Sequence, residues 1–370
     1  MSKIDAVTVP KWGMTMTEGT IVSWLFAEGD AISKGDEIVE IETTKLTNVV
    51  ESSVSGTMRR IVLGEGTTAP VGALAAVVVE GDATEEEIEA FIASYASRAG
   101  LGAEGDAGPV ARSVEVDGAA INYLSMGAEE GPAVLLLHGF GGDLTTWMFN
   151  QDDLAGELRC VAMDLPGHGS SAVTQSADAF EGAVAAALGV IASLGADRVH
   201  LVGHSLGGGV AAVVARRLGA RAASVSLIAP IGLGPEMSGD FLTDFIAADR
   251  RRPLQKVLER LVADPSKITS DMVEGTLNFK RLEEVPEALT QVAAAIADGN
   301  RQLRDITGDV AALSCPVQLI WGEADQIVPV PASVPRNAVL KVLRGAGHMP
   351  QMEASAAVNR DLLELIRAAS

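Results

Sequence analysis

One pentapeptide in this 370-residue chain has the residue types and spacing of covalent catalysis: Gly203-His204-Ser205-Leu206-Gly207, a G-x-S-x-G pattern that occurs once. A serine hydroxyl is a useful nucleophile only when a base takes its proton and hydrogen-bond donors meet the charge on the attacked carbonyl. The pattern therefore needs a strand, a sharp turn and a helix around it. Arg198 to Val202 reads as a short buried strand, and the Ala/Val-rich run from Gly208 to Gly219 reads as a helix. Glycines on both sides leave room for a strained turn at Ser205. The helix N-terminus aims free N–H groups at developing negative charge. In that context catalysis is favoured over a plain tight turn.

The elements around this turn alternate. Arg112–Val116 and Ala119–Met126 are strand-like and flank a turn at Asp117-Gly118. Ala133–Leu137 is a continuous apolar run, as expected of a parallel strand covered on both faces. Further strands are read at Cys160–Met163, Ser224–Ala229, Pro316–Trp321 and Val339–Leu343, with a closing helix from about Ala354 to Ala368. Pro230 to Ser314 is mostly helical in pattern. Such alternation predicts a mostly parallel sheet. Ser205, Asp325 and His348 all fall just beyond strand C-termini, where open α/β sheets bind ligands.

Bulk properties exclude several classes. The net charge is −21, which argues against nucleic acid or an anionic membrane surface as a partner. No run has the length of a membrane span. Met1–Asp5 opens without the apolar core of a signal peptide, so a cytoplasmic location is expected. Hydrophobic content of 48% suffices for a large core. Cys160 and Cys315 each fall in a predicted buried strand and read as core residues, not a disulfide or metal pair. The five histidines lack zinc-ligand spacing, and no metal is expected.

His138-Gly139-Phe140-Gly141-Gly142, Asp164-Leu165-Pro166-Gly167-His168-Gly169, the Ser205 pentapeptide, Gly322-Glu323-Ala324-Asp325 and Gly347-His348 together resemble the α/β-hydrolase family across residues 112–370. The resemblance implies an α/β-hydrolase fold with a helical cap at about 231–314. It implies Ser205 as nucleophile, His348 as base and later acid, and Asp325 as the group that orients the imidazole. The Phe140 and Leu206 N–H groups are the implied oxyanion hole. His138 and His168 are expected to bond backbone in their turns. His200 is expected in the core or at an edge, and His204 to point elsewhere on its turn in a structural role.

The first eighty residues read differently. Short strand-like runs with Gly-containing turns dominate, and the stretch repeats itself at an offset of 37: Gly19-Thr20 with Gly56-Thr57, Glu28-Gly29 with Glu65-Gly66, Gly35 with Gly72. Ile21 and Met58, and Trp24 and Ile61, follow the same offset, so a small all-β sandwich with a shared core is expected. Lys45 falls at the tip of a predicted hairpin, Glu42 to Thr47. Pro10-Lys11-Trp12-Gly13-Met14-Thr15-Met16-Thr17-Glu18-Gly19-Thr20, Glu28-Gly29-Asp30, Ile41-Glu42-Thr43-Thr44-Lys45 and the glycines at 35, 56, 66 and 72 resemble a lipoyl domain over residues 1–80. The resemblance implies lipoate in amide linkage on Lys45. The related biotinyl domains have Met on both sides of the lysine, where this chain has Thr44 and Leu46.

Residues 81–111 form the expected acidic linker with a short helix. Thr84 is its N-cap, Glu87 completes a capping box, and Ile88, Phe91, Ile92 and Tyr95 form an apolar stripe.

A lipoyl domain ahead of an α/β-hydrolase domain resembles the acetyltransferase components of acetoin dehydrogenase complexes. The resemblance implies acetyl transfer from the lipoyl arm to coenzyme A in acetoin catabolism. It also implies a thiamin-diphosphate-dependent acetoin dehydrogenase and a dihydrolipoyl dehydrogenase as partners. None of the five histidines begins the His-x-x-x-Asp-Gly of ordinary 2-oxo acid dehydrogenase acyltransferases. A hydrolase acting on acyl-lipoyl thioesters or unrelated esters is the alternative, and a non-catalytic lipoyl carrier a third reading. Arg250, Arg251 and Arg252, with Lys256, are the densest basic cluster. Arg251 and Arg252 are candidates for the coenzyme A phosphates, against the plainer reading of a solvated helix near its C-terminal end.

Overall fold

The 37-residue repeat is a structural repeat. In a computed structural model, whose described residues are 3–9, 18–42, 47–52, 54–70, 73–81, 83–100 and 110–369, the first unit carries eight strands. They are β1 (Lys3–Thr8), β2 (Glu18–Trp24), β3 (Ala31–Ile32), β4 (Glu37–Glu42), β5 (Thr47–Glu51), β6 (Gly56–Ile61), β7 (Thr68–Pro70) and β8 (Leu74–Glu80). Two antiparallel sheets form, in the orders β1-β8-β6-β3 and β5-β4-β2-β7. The offset carries β3 and β4, which start at 31 and 37, onto β7 and β8, which start at 68 and 74. The short strands cross over: β3 of the first half pairs with β6, and β7 of the second half pairs with β2. Ile21, Ile38, Ile41, Met58 and Val78 fill one core with Trp24 and Ile61 against it, so neither half buries its apolar face alone.

Helix α1 (Glu85–Gly100) begins with the expected capping box. The Glu87 amide donates to Thr84 Oγ1 at 3.2 Å, and Glu87 Oε2 accepts from the Thr84 amide at 2.8 Å. Its start is not a free spacer. Ile88 is fully buried with Leu74, Val77 and Val79, the outward residues of β8. Glu85 and Glu89 pair with Arg59 and Arg60 of β6. Ile88, Phe91 and Ile92 of α1 cover the outer face of a strand whose inner face already fills the sandwich.

The two compact units are Met1–Ala107 and Gly108–Ser370. The second is built on an eight-stranded sheet of order β18-β17-β14-β13-β11-β12-β10-β9. Its strands are β9 (Val110–Val116), β10 (Ala119–Met126), β11 (Ala133–Leu137), β12 (Arg159–Met163), β13 (Val199–His204), β14 (Ala222–Ile228), β17 (Val317–Gly322) and β18 (Ala338–Leu343). A small hairpin, β15 (Ala297–Asp298) and β16 (Arg301–Gln302), stands apart. The β9–β10 and β10–β12 pairs are antiparallel, and the rest of the sheet is parallel.

β11 shows why its sequence is apolar throughout. Ala133, Leu135 and Leu137 enter one core with α3 (Ala179–Leu194) and α4 (Leu206–Leu218). Val134 and Leu136 enter the other, with α11 (Ser355–Ala369) and Leu154 of α2 (Gln151–Ala155). Between β14 and β17 lie α5 (Gly239–Ala247), α6 (Arg251–Leu258), α7 (Ser270–Lys280), α8 (Val285–Ile296) and α9 (Thr307–Ala311). A single turn, α10 (Pro350–Glu353), follows the His348 loop. Cys160 is buried in β12, as expected, but Cys315 precedes β17 and is only half-buried. Pro316, which has no N–H for the ladder, delays the strand to Val317. Among the described residues no helix is long and apolar enough to cross a membrane.

Candidate active site

Ser205 stands between β13 and α4 with φ 53° and ψ −115°, a conformation that serine adopts only when its surroundings hold it there. The surroundings do so. The Ser205 amide donates to the Ile228 carbonyl at 2.9 Å, and its own carbonyl accepts from Gly208, Gly209 and Ile231. Gly207 is required by close approach: a Cβ there would run into the carbonyls of Leu137 and His138. The approach brings the turn after β11 beside the elbow. Among the described residues, no carbonyl or side chain accepts from the Phe140 or Leu206 amide, the two expected oxyanion donors.

Asp325 and His348 come from the loops after β17 and β18, and their side chains meet. His348 Nδ1 lies 2.8 Å from Asp325 Oδ2, with both side chains almost wholly buried. The other carboxylate oxygen accepts the Ile327 and Val328 amides at 2.8 and 3.0 Å. Burial alone would raise the Asp325 pKa, but His348 and these two N–H groups outweigh it and hold the carboxyl below its usual range. An ionised Asp325 keeps the proton of His348 on Nδ1, which leaves Nε2 free to act as base.

Two of the remaining histidines serve their turns. His138 donates from Nδ1 to the Gly139 carbonyl at 2.8 Å and accepts the Leu165 amide at Nε2 at 2.9 Å. His168 lies 3.1 Å from the Pro166 carbonyl through Nδ1 and stacks on Phe279 of α7. His200 is a core residue of β13, 2.8 Å from Ser224 Oγ. His204 departs from expectation. It does not point away from the site: its ring centroid is 4.8 Å from that of His348, and its Nε2 lies 2.8 Å from the His348 carbonyl oxygen. Sequence position alone could not show this, because the direction of the ring depends on a loop 144 residues away.

Residues from the helical insertion pack on Phe140 and His168. Phe245 of α5 meets the Phe140 ring edge-on at 5.5 Å, and Phe279 of α7 covers His168. Glu353 was not singled out by any sequence pattern. It accepts the Gly347 amide, next to His348, and the Ala263 amide from the insertion. The basic cluster opens a helix instead of ending one. Arg251 and Arg252 are exposed in the first turn of α6, with Arg250 as N-cap. Pro253 explains the placement, since proline is tolerated only in a first turn. Lys45 lies outside the described residues; the β4–β5 ladder is paired up to Glu42 and Thr47, which flank its segment. Among the described residues no three His, Cys, Asp or Glu side chains gather as a metal site requires.

Comparison with known proteins matches two separate stretches of the chain. Residues 134–361 match the family described as Alpha/beta hydrolase family, and residues 5–78 match the one described as Biotin-requiring enzyme. The second unit is similar to the solved 2-hydroxy-6-oxo-6-phenylhexa-2,4-dienoate hydrolase from Rhodococcus sp. strain RHA1. That likeness has a TM-score of 0.64 at 24% identity, covers 70% of this chain and 99% of that one, and speaks to the fold alone. A Pseudomonas putida relative is 44% identical over 99% of this chain and 100% of its own length. A Cupriavidus necator relative is 37% identical over 95% of this chain and 94% of its own length. Both are named dihydrolipoyllysine-residue acetyltransferase component of acetoin cleaving system. With both of its modules matched, and two relatives similar along almost their whole length, the chain belongs to the family of dihydrolipoyllysine-residue acetyltransferase components of acetoin-cleaving systems.

Proposed function

We propose that Ser205, His348 and Asp325 carry out this family's acetyl transfer in two steps through an acetyl ester on Ser205, and that Lys45 bears the lipoyl arm. The chain is an acyltransferase that passes acetyl to coenzyme A in acetoin catabolism, with lipoate bound covalently. The observation that carries the reading is the similarity along the whole chain, which includes both the lipoyl-type domain and the hydrolase-type domain.

Lipoate in amide linkage at Lys45 supplies a dithiol on which acetyl is carried as a thioester. A lysine between the paired ends of β4 and β5 fits that linkage, because its amine needs access and no pocket. In the first step His348 Nε2 takes the proton of Ser205 as the oxygen attacks the thioester carbonyl. The Phe140 and Leu206 amides donate to the oxyanion. The carbon–sulfur bond breaks and His348 returns its proton to the departing thiolate. In the second step His348 deprotonates the coenzyme A thiol, whose sulfur attacks the Ser205 ester. The serine oxygen leaves and regains the proton. Asp325 stabilises the imidazolium formed in each step. Covering the site against water decides between transfer and hydrolysis, and Phe245 and Phe279 place the insertion over it.

The relatives are each named as one component of a system, so the chain works with further components. A thiamin-diphosphate-dependent acetoin dehydrogenase fits as the enzyme that loads the arm, and a dihydrolipoyl dehydrogenase as the one that reoxidises it, in the cytoplasm.

Intact mass of protein made with lipoate tests the attachment. The expected result is one lipoyl increment, lost in Lys45→Arg with the fold unchanged. An increment on another lysine, or a biotinyl increment, overturns it. Rapid-quench labelling with acetyl-lipoyl substrate tests the ester: acetyl on Ser205 is expected. Near-normal transfer by Ser205→Ala with no label trapped rules the covalent path out in favour of direct attack by the thiol. Rapid acetate release at saturating coenzyme A favours hydrolysis.

A further inference from the structure

From its place before Ser205, His204 reaches both the His348 loop and the turn after β11. Its Nε2 is 2.8 Å from the His348 carbonyl oxygen. A ring nitrogen that close to a carbonyl carries a proton, so Nε2–H donates. His204 is 4% exposed, and burial, reinforced by His348, pushes its pKa down to about 3. At neutral pH it is therefore uncharged and Nδ1 is bare. Nδ1 is buried and has no hydrogen-bond partner among the described residues. It lies against the oxyanion turn: a Cβ on Gly139 would sit 2.8 Å from Nδ1 and 3.1 Å from Ser205 Cβ.

We propose that His204 is a positioning residue that sets the spacing between the Ser205 elbow and the His348 loop. The proposal rests on the reading of Ser205 as nucleophile and His348 as base. His204 immediately precedes the serine, on backbone held by the β13–β14 ladder. Its Nε2–H fixes the main chain of His348, while Asp325 fixes the Nδ1 end of the same imidazole. These two anchors hold both the backbone and the ring plane of the base. With the first gone, the His348 side chain pivots about its bond to Asp325, and the serine–imidazole distance is no longer set. An uncharged His204 also leaves the imidazolium of His348 without a cationic neighbour 4.8 Å away.

The test compares His204→Phe, which keeps the ring volume but donates nothing, with His204→Gln, whose amide nitrogen occupies the place of Nε2. Both are made in the full lipoylated chain. His204→Phe is expected to lower kcat about 10- to 100-fold with the KM for coenzyme A unchanged. His204→Gln is expected to recover most of the loss. Fluorophosphonate labelling of Ser205, which needs neither lipoate nor coenzyme A, is expected to slow in parallel in His204→Phe and recover in His204→Gln. Wild-type labelling and turnover in His204→Phe overturn the proposal, as do equal losses in both variants. Wild-type enzyme that turns over but is not labelled instead removes the underlying nucleophile reading. Should His204→Phe fail to fold, His204→Asn, too short to reach the carbonyl, replaces it with the same expectation.

Discussion

Glu353 and Ala263 are joined by a hydrogen bond of 2.7 Å between carboxylate and amide, and the second oxygen of the same carboxylate takes the Gly347 amide at 2.6 Å. One side chain thus ties the helical insertion to the residue beside His348. A glutamine in its place turns one of two acceptors into a donor facing an N–H. Glu353→Gln is expected to cost about 1–3 kcal/mol of stability and to lower kcat more than it raises any KM. Thermal unfolding and steady-state kinetics on the same preparation check both parts.

Ser205 and His348 act as one unit in the proposed chemistry, so their losses are not expected to add. Ser205→Ala and His348→Ala should each lower the transfer rate by several orders of magnitude, and the double variant by about as much as either. Single-turnover transfer from an acetylated lipoyl domain measures this. Additive losses would show that the two residues act in separate steps.

Acid should destabilise the protein well before its carboxylates titrate. Burial lowers the pKa of His138 well below the ordinary value, of His168 and His200 to about 4, and of His204 to about 3. Between about pH 6.5 and 4 the unfolded chain binds protons at these histidines and the native chain does not. Stability therefore falls as pH falls through that window, by about 1.4 kcal/mol per pH unit for each such histidine at its steepest. Melting temperatures of wild type and His168→Phe from pH 7.5 to 4.5 check the sign. The variant is expected to have the shallower slope.

Arg251 and Arg252 are exposed at the opening of α6 and make no ion pair among the described residues. They are the sequence's candidates for the coenzyme A phosphates, and on that reading reversing both charges should raise the KM for coenzyme A and leave that for a pantetheine thiol unchanged. Equal effects on the two thiols would remove the assignment.

What the sequence by itself determined is what depends on neighbours along the chain. The alternating and continuous apolar runs place the strands of the large sheet from Ala119–Met126 to Ala338–Leu343 within a few residues of where they stand, while the short hairpin of β15 and β16 lies in a stretch that reads as helical. Gly207 marks the elbow because only glycine survives that approach, and the 37-residue repeat foretells a shared core. The Thr84–Glu87 capping box is local chemistry and is met in the structure. Pro253 and Pro316 carry boundary signals, for the start of α6 and the delay of β17, that are passed over in reading the basic cluster near a helix C-terminus and the strand from Pro316. What only the tertiary structure decided is where distant loops converge. His204 bonds a residue 144 positions away, and Glu353 one 90 positions away. No local periodicity encodes such pairs, because the direction of a side chain at a strand end is set by whichever loop closes over it. The stripe of α1 likewise announced a buried face, but its partner, the outer face of β8, became visible only once β8 had used its inner face for the sandwich.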